Sequence, residues 1–313
     1  MTVTRHEVIS ASPPSSSGLP APSRRRRRET LTAWLSLAPA LLLAAAMLWY
    51  PVTSTLRYSL TDWNGLSANW VGLENYTDTL VSGEFFALFR TNLVFLATIP
   101  PLMLLCLVVS VAIFDKVPGW RVFRSVYYLP TVLSAAVVGL LMTIFFSPEG
   151  AVNTALTKVG LESLTQDWFG QTGTAYVVLI SAFYWQTLGQ GVLIFLAGLS
   201  TIPAELIEAA KIDGAGWWRR LRSVLLPLLA PTVAYFLLTN VIYVLVDLCA
   251  LVFVSTGGGP GRSTTPIDYM IYLKAFQQGQ LGAASALAVL LLAIAFCCSW
   301  FQVRLLERVG EGR

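Results

Sequence analysis

Six long apolar stretches constrain the fold of this chain more than any other feature of its sequence. Together they contain one charged side chain, that of Asp247. About 20 apolar residues in a helix span the ~30 Å hydrocarbon layer of a bilayer, and a helix satisfies its backbone polar groups internally. We therefore predict an all-α, polytopic membrane protein with six transmembrane helices. The stretches run Leu31 to Val52, Leu93 to Phe114, Val126 to Phe146, Ala175 to Leu199, Ala230 to Val254 and Ala283 to Val303.

Lys and Arg are distributed unevenly between the segments that join these stretches. If the N-terminus is cytoplasmic, sixteen of the 21 Lys and Arg residues fall in inside segments and five in outside segments. Because cytoplasmic loops carry the excess of positive charge in membrane proteins, both termini are predicted to be cytoplasmic. The Arg24 to Arg28 run directly precedes a membrane stretch, so we interpret it as a topology anchor that favours anionic lipid, and expect no nucleic-acid partner.

Composition supports a membrane domain and argues against several kinds of chemistry. Residues 1–28 are rich in Ser, Pro and Arg and are predicted to form a disordered cytoplasmic tail, while residues 29–313 form the membrane domain. The chain lacks the Gly-x-x-x-x-Gly-Lys pattern of a P-loop, and its single histidine is His6 in the tail. The four cysteines show no metal-ligand spacing. We therefore predict no metal site, no cofactor and no enzymatic activity, and an energy source that lies in another subunit.

The inner loop over residues 200–229 is the most informative segment. Pro203 suits the first position of a helix, Glu205 and Glu208 lie where the helix dipole favours carboxylates, and Gly214 can end the helix in a left-handed conformation. A short helix, a sharp turn and a second helix are therefore predicted on the cytoplasmic face. Such a knob fits a groove on a soluble partner, but an interfacial amphipathic helix without a partner has the same pattern, and both interpretations stay open at this point.

The same loop resembles the EAA signature of binding-protein-dependent ABC transporter permeases. The matching residues are Glu208-Ala209-Ala210, Asp213-Gly214-Ala215 and Leu226-Pro227, with Leu221 at a position where the family usually has Phe. Further segments resemble the maltose and glycerol-phosphate type of sugar permease, in the same order along the chain. They are residues 58–65 with 71–76, residues 123–130, and residues 256–260 with 263–265.

The resemblance implies a permease subunit of the bacterial plasma membrane that imports a sugar or oligosaccharide by alternating access. It implies four kinds of partner: a second homologous permease in a heterodimer, two cytoplasmic ATPase subunits, an extracytoplasmic sugar-binding protein, and the sugar itself. The inner loop would form the coupling helices that dock into the ATPase. The coupling residues carried over are Glu205, Glu208, Ala209, Ala210, Asp213, Gly214 and Ala215.

Polar residues inside the predicted spans are candidates for the sugar site. An ionisable side chain in a span costs ~2.5 to 3.5 kcal/mol on insertion scales, so Asp247 is expected to face the bundle interior, a cavity or a partner. Amide, carboxylate and aromatic groups suit a sugar, although interhelical hydrogen bonding would use the same groups. Cys249 and Ala250 stand where family members often carry Phe-Asp, so substrate contacts are not carried over. The candidates are Asp247, Tyr243 and Asn240 in the fifth stretch, and Tyr184 and Gln186 in the fourth, near Trp185 and Gln190.

One alternative function is an ion-coupled secondary sugar transporter that works without an ATPase. Such a transporter needs ionisable residues inside the membrane for ion coupling, and Asp247 is the one that the six stretches offer. A membrane-embedded enzyme would need clustered Asp, Glu or His near the interface, which the sequence does not contain. The importer subunit is therefore the preferred prediction.

Overall fold

The computed structural model describes residues 24–115 and 128–311, and within them the regular structure is helical apart from an isolated bridge between Thr61 and Trp70. The disordered tail predicted over residues 1–28 lies largely outside the described residues and stays a prediction. The α-helices are α1 Arg24–Tyr58, α2 Glu74–Val81, α3 Glu84–Phe114, α4 Ala135–Phe145, α5 Ala151–Lys158, α6 Thr172–Ser200, α7 Ala204–Ile212, α8 Trp217–Arg220, α9 Leu226–Leu228, α10 Ala230–Val246, α11 Cys249–Ser255, α12 Ile267–Tyr272 and α13 Leu281–Glu311.

Short helical turns of other types connect several of these helices. The 3-10 turns are Leu129–Val132 and Glu162–Leu164, and the π-helical turns are Leu221–Leu225 and Leu273–Gln277. π-helical turns inside α-helices occur frequently at functional sites. The π-helical turn between α8 and α9 lies within the inner loop, the most informative segment of the sequence.

Four described helices are long and apolar enough to cross a membrane. They are Thr32–Tyr58 within α1, α3, α6 and Leu281–Arg304 within α13, and a fifth span results if Trp217–Leu228 and α10, which meet at a bend of 76°, count as one. The all-helical, polytopic character predicted from the sequence is therefore confirmed. The number six and the cytoplasmic termini stay predictions.

The third and fifth predicted stretches are not continuous helices. The third includes residues outside the described ranges, and its described part contains a 3-10 turn and the 11-residue helix α4, whose N-cap Ser134 accepts a hydrogen bond from the Val137 N–H. The fifth ends its main helix at Val246, and α11 begins again at Cys249. Hydropathy alone does not reveal such breaks, because the residues at them are mostly apolar.

Helices α3 and α6 pack against each other at the centre of the apolar core. Gly191 of α6 makes the close approach possible, since a Cβ atom there would lie 2.5 Å from Cys106 Sγ of α3 and 2.7 Å from Phe236 of α10. Ser110 Oγ of α3 donates a hydrogen bond to the Val192 carbonyl across the same contact, at 3.1 Å. Beside this contact the buried Phe195 of α6 packs against Phe236, with ring centres 5.3 Å apart.

Large apolar side chains stand exposed along α1 and α13. Within the unit Met1–Thr53, Leu42 of α1 is 70% exposed, and in the second unit Phe296 of α13 is 69% exposed. Contiguous apolar surface of this kind is unfavourable in water and favourable against lipid. At the end of the apolar part of α13, the Arg304 guanidinium lies 5.2 Å from the centre of the Trp300 ring, a pair of residue types typical of a membrane interface.

Candidate functional site

The inner loop folds into the predicted knob, which here means residues 204–218. Helix α7 ends in a Schellman motif, in which Gly214 has φ +70° and the Ala215 N–H donates to the Ala210 carbonyl at 3.0 Å. The helix end that the sequence predicted at Gly214 is therefore confirmed. The chain then turns at Gly216, the N-cap of α8.

The outer surface of the knob combines carboxylates with large apolar side chains. Glu205, Glu208 and Asp213 are exposed, and Ile212 and Trp218 are 86% and 60% exposed. Its inner surface is apolar, with Ile207 and Ala210 both buried. Among the coupling residues carried over from the resemblance, Ala209 and Gly214 are exposed and Ala215 is half-buried.

An ion pair between a buried Arg220 and a partly exposed Asp115 joins the segment after the knob to the end of α3. The Arg220 guanidinium, at the end of α8, forms a salt bridge with Asp115, the C-cap of α3, and the two residues are 105 positions apart. Arg220 is 7% exposed, and its Nε has no hydrogen-bond acceptor among the described residues. Sequence reasoning missed this pair, because charges so far apart in the chain give no local signal.

A polar cavity of about 150 Å³ lies between the 3-10 turn Leu129–Val132, α6 and α10. The Tyr243 hydroxyl donates to Gln186 Oε1 at 3.1 Å, and Gln186 Nε2 donates to the Leu133 carbonyl at 3.1 Å. Three residues predicted from the sequence therefore meet here, namely Gln186, Asn240 and Tyr243. The described residues that line it are Thr131, Gln186, Thr187, Gln190, Thr239, Asn240 and Tyr243.

The other two predicted substrate residues do not line this cavity. Tyr184 turns its hydroxyl to the Thr98 carbonyl of α3 at 2.6 Å. Asp247 is the exposed C-cap of α10, and its N–H donates to the Tyr243 carbonyl. Sequence reasoning missed Thr187 and Thr131 of the lining. Thr187 is the residue after the predicted Gln186, whereas Thr131 lies in a 3-10 turn that the sequence alone did not predict.

Two buried polar side chains, which the sequence did not single out, hold the break between α10 and α11 beside this cavity. The Asp268 carboxylate accepts hydrogen bonds from the Cys249 N–H at 2.7 Å and the Tyr269 N–H at 2.9 Å. Asn92 of α3 donates to the Val244 carbonyl at 2.8 Å and accepts from the Ile267 N–H at 3.1 Å. Backbone groups freed by the break are thereby paired.

A larger cavity of about 440 Å³ lies among the segments around α2, the start of α3 and the start of α13. Lys274 Nζ forms a salt bridge of 2.8 Å with Glu84 in its wall. Asp62 also lines it and accepts two hydrogen bonds from Asn69, which lower the pKa of the Asp62 carboxyl. The sequence places these segments in outer loops.

Comparisons with known proteins agree with this architecture. Residues 79–311 match the family model described as "Binding-protein-dependent transport system inner membrane component". Two solved structures of bacterial alginate ABC transporters contain chains of the same fold. One of them, in complex with an alginate pentasaccharide-bound periplasmic protein, gives a TM-score of 0.79 at 20% identity, covering 92% of this chain and 98% of that one.

Curated relatives cover nearly the whole chain. The sn-glycerol-3-phosphate transport system permease protein UgpA of Agrobacterium fabrum is 31% identical over 279 residues, 88% of this chain and 94% of that one. The multiple sugar-binding transport system permease protein MsmF of Streptococcus mutans is 32% identical, with 88% and 95% covered. The sulfoquinovosyl glycerol transport system permease protein SmoG of Agrobacterium fabrum is 34% identical, with 89% and 91% covered.

The family resemblance predicted from the sequence is thus confirmed by a match that extends over most of the chain. The helices that could cross a membrane agree with a multi-pass protein of the inner membrane, and a permease is a transporter and not an enzyme. The family works with a solute-binding protein and an ATPase. This chain belongs to the binding-protein-dependent transport system inner membrane components, the permease subunits of ABC importers.

Proposed function

We propose that this permease imports a sugar or a sugar-related polyol as one of two homologous transmembrane subunits. Two separate ATPase subunits drive alternating access, and an extracytoplasmic binding protein delivers the cargo over the outer segments. Six spans place both termini in the cytoplasm. The relatives support this proposal, since each is named for a sugar, a glycoside of glycerol or a glycerol phosphate.

The exposed knob is the observation that carries the coupling part of the proposal. Its carboxylates and its apolar side chains Ile212 and Trp218 are exposed on the described chain. An interface centre needs apolar anchors of this kind with polar groups around them. The residues that dock into the ATPase are then Glu205, Glu208, Ala209, Ala210, Asp213, Gly214 and Ala215.

The 150 Å³ cavity supplies the cargo site in this proposal. It is smaller than the ~300 to 1,000 Å³ of a complete small-molecule site, so a second permease or a wider state of the importer completes it. Gln186, Asn240 and Tyr243 contact the cargo. Tyr184 and Asp247 stay candidates for the completed site, with Asp247 on the exposed end of α10.

Two variants of the knob test the proposal. Glu208→Lys reverses a charge on the docking surface, and Gly214→Pro is incompatible with φ +70°. We expect both to insert normally but to lower ATP-driven uptake and co-purification of the ATPase at least tenfold, or about 1.4 kcal/mol. The matched control is Glu162→Lys, the same change on an exposed glutamate of the second predicted outer segment, which should keep wild-type uptake.

Two results would contradict the proposal. One is normal uptake and normal ATPase assembly in both knob variants. The other is accumulation of solute by liposomes that contain this chain alone, which would favour an ion-coupled secondary transporter instead.

A further inference from the structure

Among the residues that the structure describes, the lining of the 150 Å³ cavity contains no ionisable side chain apart from the phenol of Tyr243. The remaining groups are hydroxyls of Thr131, Thr187 and Thr239 and the amides of Gln186, Gln190 and Asn240. Amides and hydroxyls both donate and accept hydrogen bonds, which is what the hydroxyl groups of a sugar or polyol require.

The helices that carry the lining are equally free of charge. Neither α6 nor α10 contains Lys, Arg, His, Asp or Glu along its whole length. The first ionisable residue after α10 is Asp247, which is acidic and follows Tyr243 by one helical turn. The nearest charge in sequence to this site would therefore repel an anion.

An anionic cargo needs groups at its binding site that compensate its charge. Phosphates and carboxylates are recognised by Arg, Lys or several N–H donors, and taking an unpaired ion out of water costs several kcal/mol. From the uncharged cavity we infer that the cargo is a neutral sugar or polyol, without a phosphate, sulfonate or carboxylate group. This inference rests on the proposed function of the cavity, and it separates the chain from relatives named for sn-glycerol-3-phosphate and for sulfoquinovosyl glycerol.

Ligand binding by the permease–ATPase complex in nanodiscs tests the inference. The outer binding protein is omitted, so that its own ligand specificity does not influence the result. Saturation-transfer NMR with maltotriose, sucrose and glycerol should give signals that Asn240→Ala reduces, and sn-glycerol-3-phosphate should give none. Binding of sn-glycerol-3-phosphate that maltotriose displaces would overturn the inference while leaving the importer function intact. Absence of uptake of all four probes by the complete importer would overturn the proposed function and the inference with it.

A charge variant gives the same test a second readout. Gln190→Lys places a cation in the cavity, so sn-glycerol-3-phosphate should compete with maltotriose at a concentration at least tenfold lower than in the wild type. Lys274→Gln, outside the cavity, is the control and should leave competition unchanged. If Gln190→Lys does not alter competition, the cargo binds elsewhere and the inference fails.

The Asp115–Arg220 ion pair carries a second, independent inference. Next to it, Leu221 and Leu225 are buried, and they belong to the same apolar cluster as Val111 and Ile113 of α3. Because the Asp115 side chain is 26% exposed, water screens the pair, and such pairs contribute about 0 to 1 kcal/mol to stability. Added stability therefore does not explain the pair.

Helix α3 connects this ion pair with the cavity region. Asp115 follows its last residue, and Asn92, 23 residues earlier, binds the Val244 carbonyl and the Ile267 N–H. At 1.5 Å per residue the two contacts are about 35 Å apart along the helix. We propose that Arg220 and Asp115 are positioning residues. Their ion pair makes α3 move together with the knob, and α3 in turn shifts the break between α10 and α11 beside the cavity.

A charge-exchange cycle tests the positioning role. Arg220→Gln and Asp115→Asn should each raise the number of ATP molecules hydrolysed per solute transported by at least tenfold, because the knob moves without α3. The exchanged pair Asp115→Arg with Arg220→Asp should recover most of the wild-type ratio, and Arg220→Lys part of it. If both single variants lose stability but keep the wild-type ratio, the pair is only structural and the proposal is wrong.

Discussion

At the scale of single residues, the buried acid of this membrane domain is not the one that the sequence favoured. Asp247 is the charged residue of the apolar stretches, yet it is exposed in the structure. Asp268, which lies in a predicted outer segment, is buried and accepts two backbone hydrogen bonds. Burial of a carboxylate depends on which backbone N–H groups tertiary packing brings to it, and hydropathy contains no such information.

Substitution of Asp268 should destabilise the domain. Asp268→Ala leaves the N–H groups of the half-buried Cys249 and the buried Tyr269 without their acceptor, so we expect a loss of about 1 to 3 kcal/mol. Thermal unfolding in detergent would measure it as a lower Tm. Asp167→Ala is the matched control, because Asp167 is an exposed acceptor for the Phe169 N–H. Equal Tm values for the two variants would contradict the role of Asp268 at the break.

At the scale of elements, the length and apolar composition of the stretches predicted the long helices well. The second, fourth and sixth apolar stretches lie within α3, α6 and α13, and the first within α1. The breaks were not predictable, because the residues on either side of Asp247 and Leu248 are apolar and helix-compatible. The backbone groups left unpaired at this break form hydrogen bonds with the side chains of Asn92 and Asp268, which belong to other elements.

Gly191 should prove sensitive to the smallest added side chain. In Gly191→Ala the new methyl group meets Cys106 Sγ and Phe236, so overpacking of α3 against α6 should cost about 1 to 3 kcal/mol. Gly173→Ala, on the same helix with no atom within 4 Å of the new methyl, should be neutral or slightly stabilising.

The Tm of detergent-solubilised protein measures both effects. Adding Cys106→Ala to Gly191→Ala removes the sulfur from the contact and should recover part of the lost stability. A Gly191→Ala protein as stable as Gly173→Ala would show that the two helices do not approach as closely as described.

At the scale of the whole molecule, the distribution of positive charge predicts the orientation in the membrane. Sixteen of 21 Lys and Arg residues lie on one side if the termini are cytoplasmic. The knob, with Asp213 at the end of α7, then faces the cytoplasm, and the segment around Ser163 faces outward.

Cysteine labelling in intact cells checks this orientation. In a chain whose four native cysteines are replaced, Asp213→Cys should react with a membrane-impermeant maleimide only after the cells are opened. Ser163→Cys, which is also at an exposed position, should react from outside. The reverse pattern would contradict both the topology and the docking role of the knob.

The sequence by itself determined the helical class, the membrane location and the Gly214 turn of the inner loop, because long apolar runs, charge asymmetry and a required positive φ are local properties. It also identified Gln186, Asn240 and Tyr243, which one cavity brings together. Only the tertiary structure decided that Thr131 joins them, that Asp115 binds Arg220, and that Asn92 and Asp268 hold a broken helix. These contacts join residues from different elements, up to 175 positions apart in the chain, and packing rather than local pattern selects their partners.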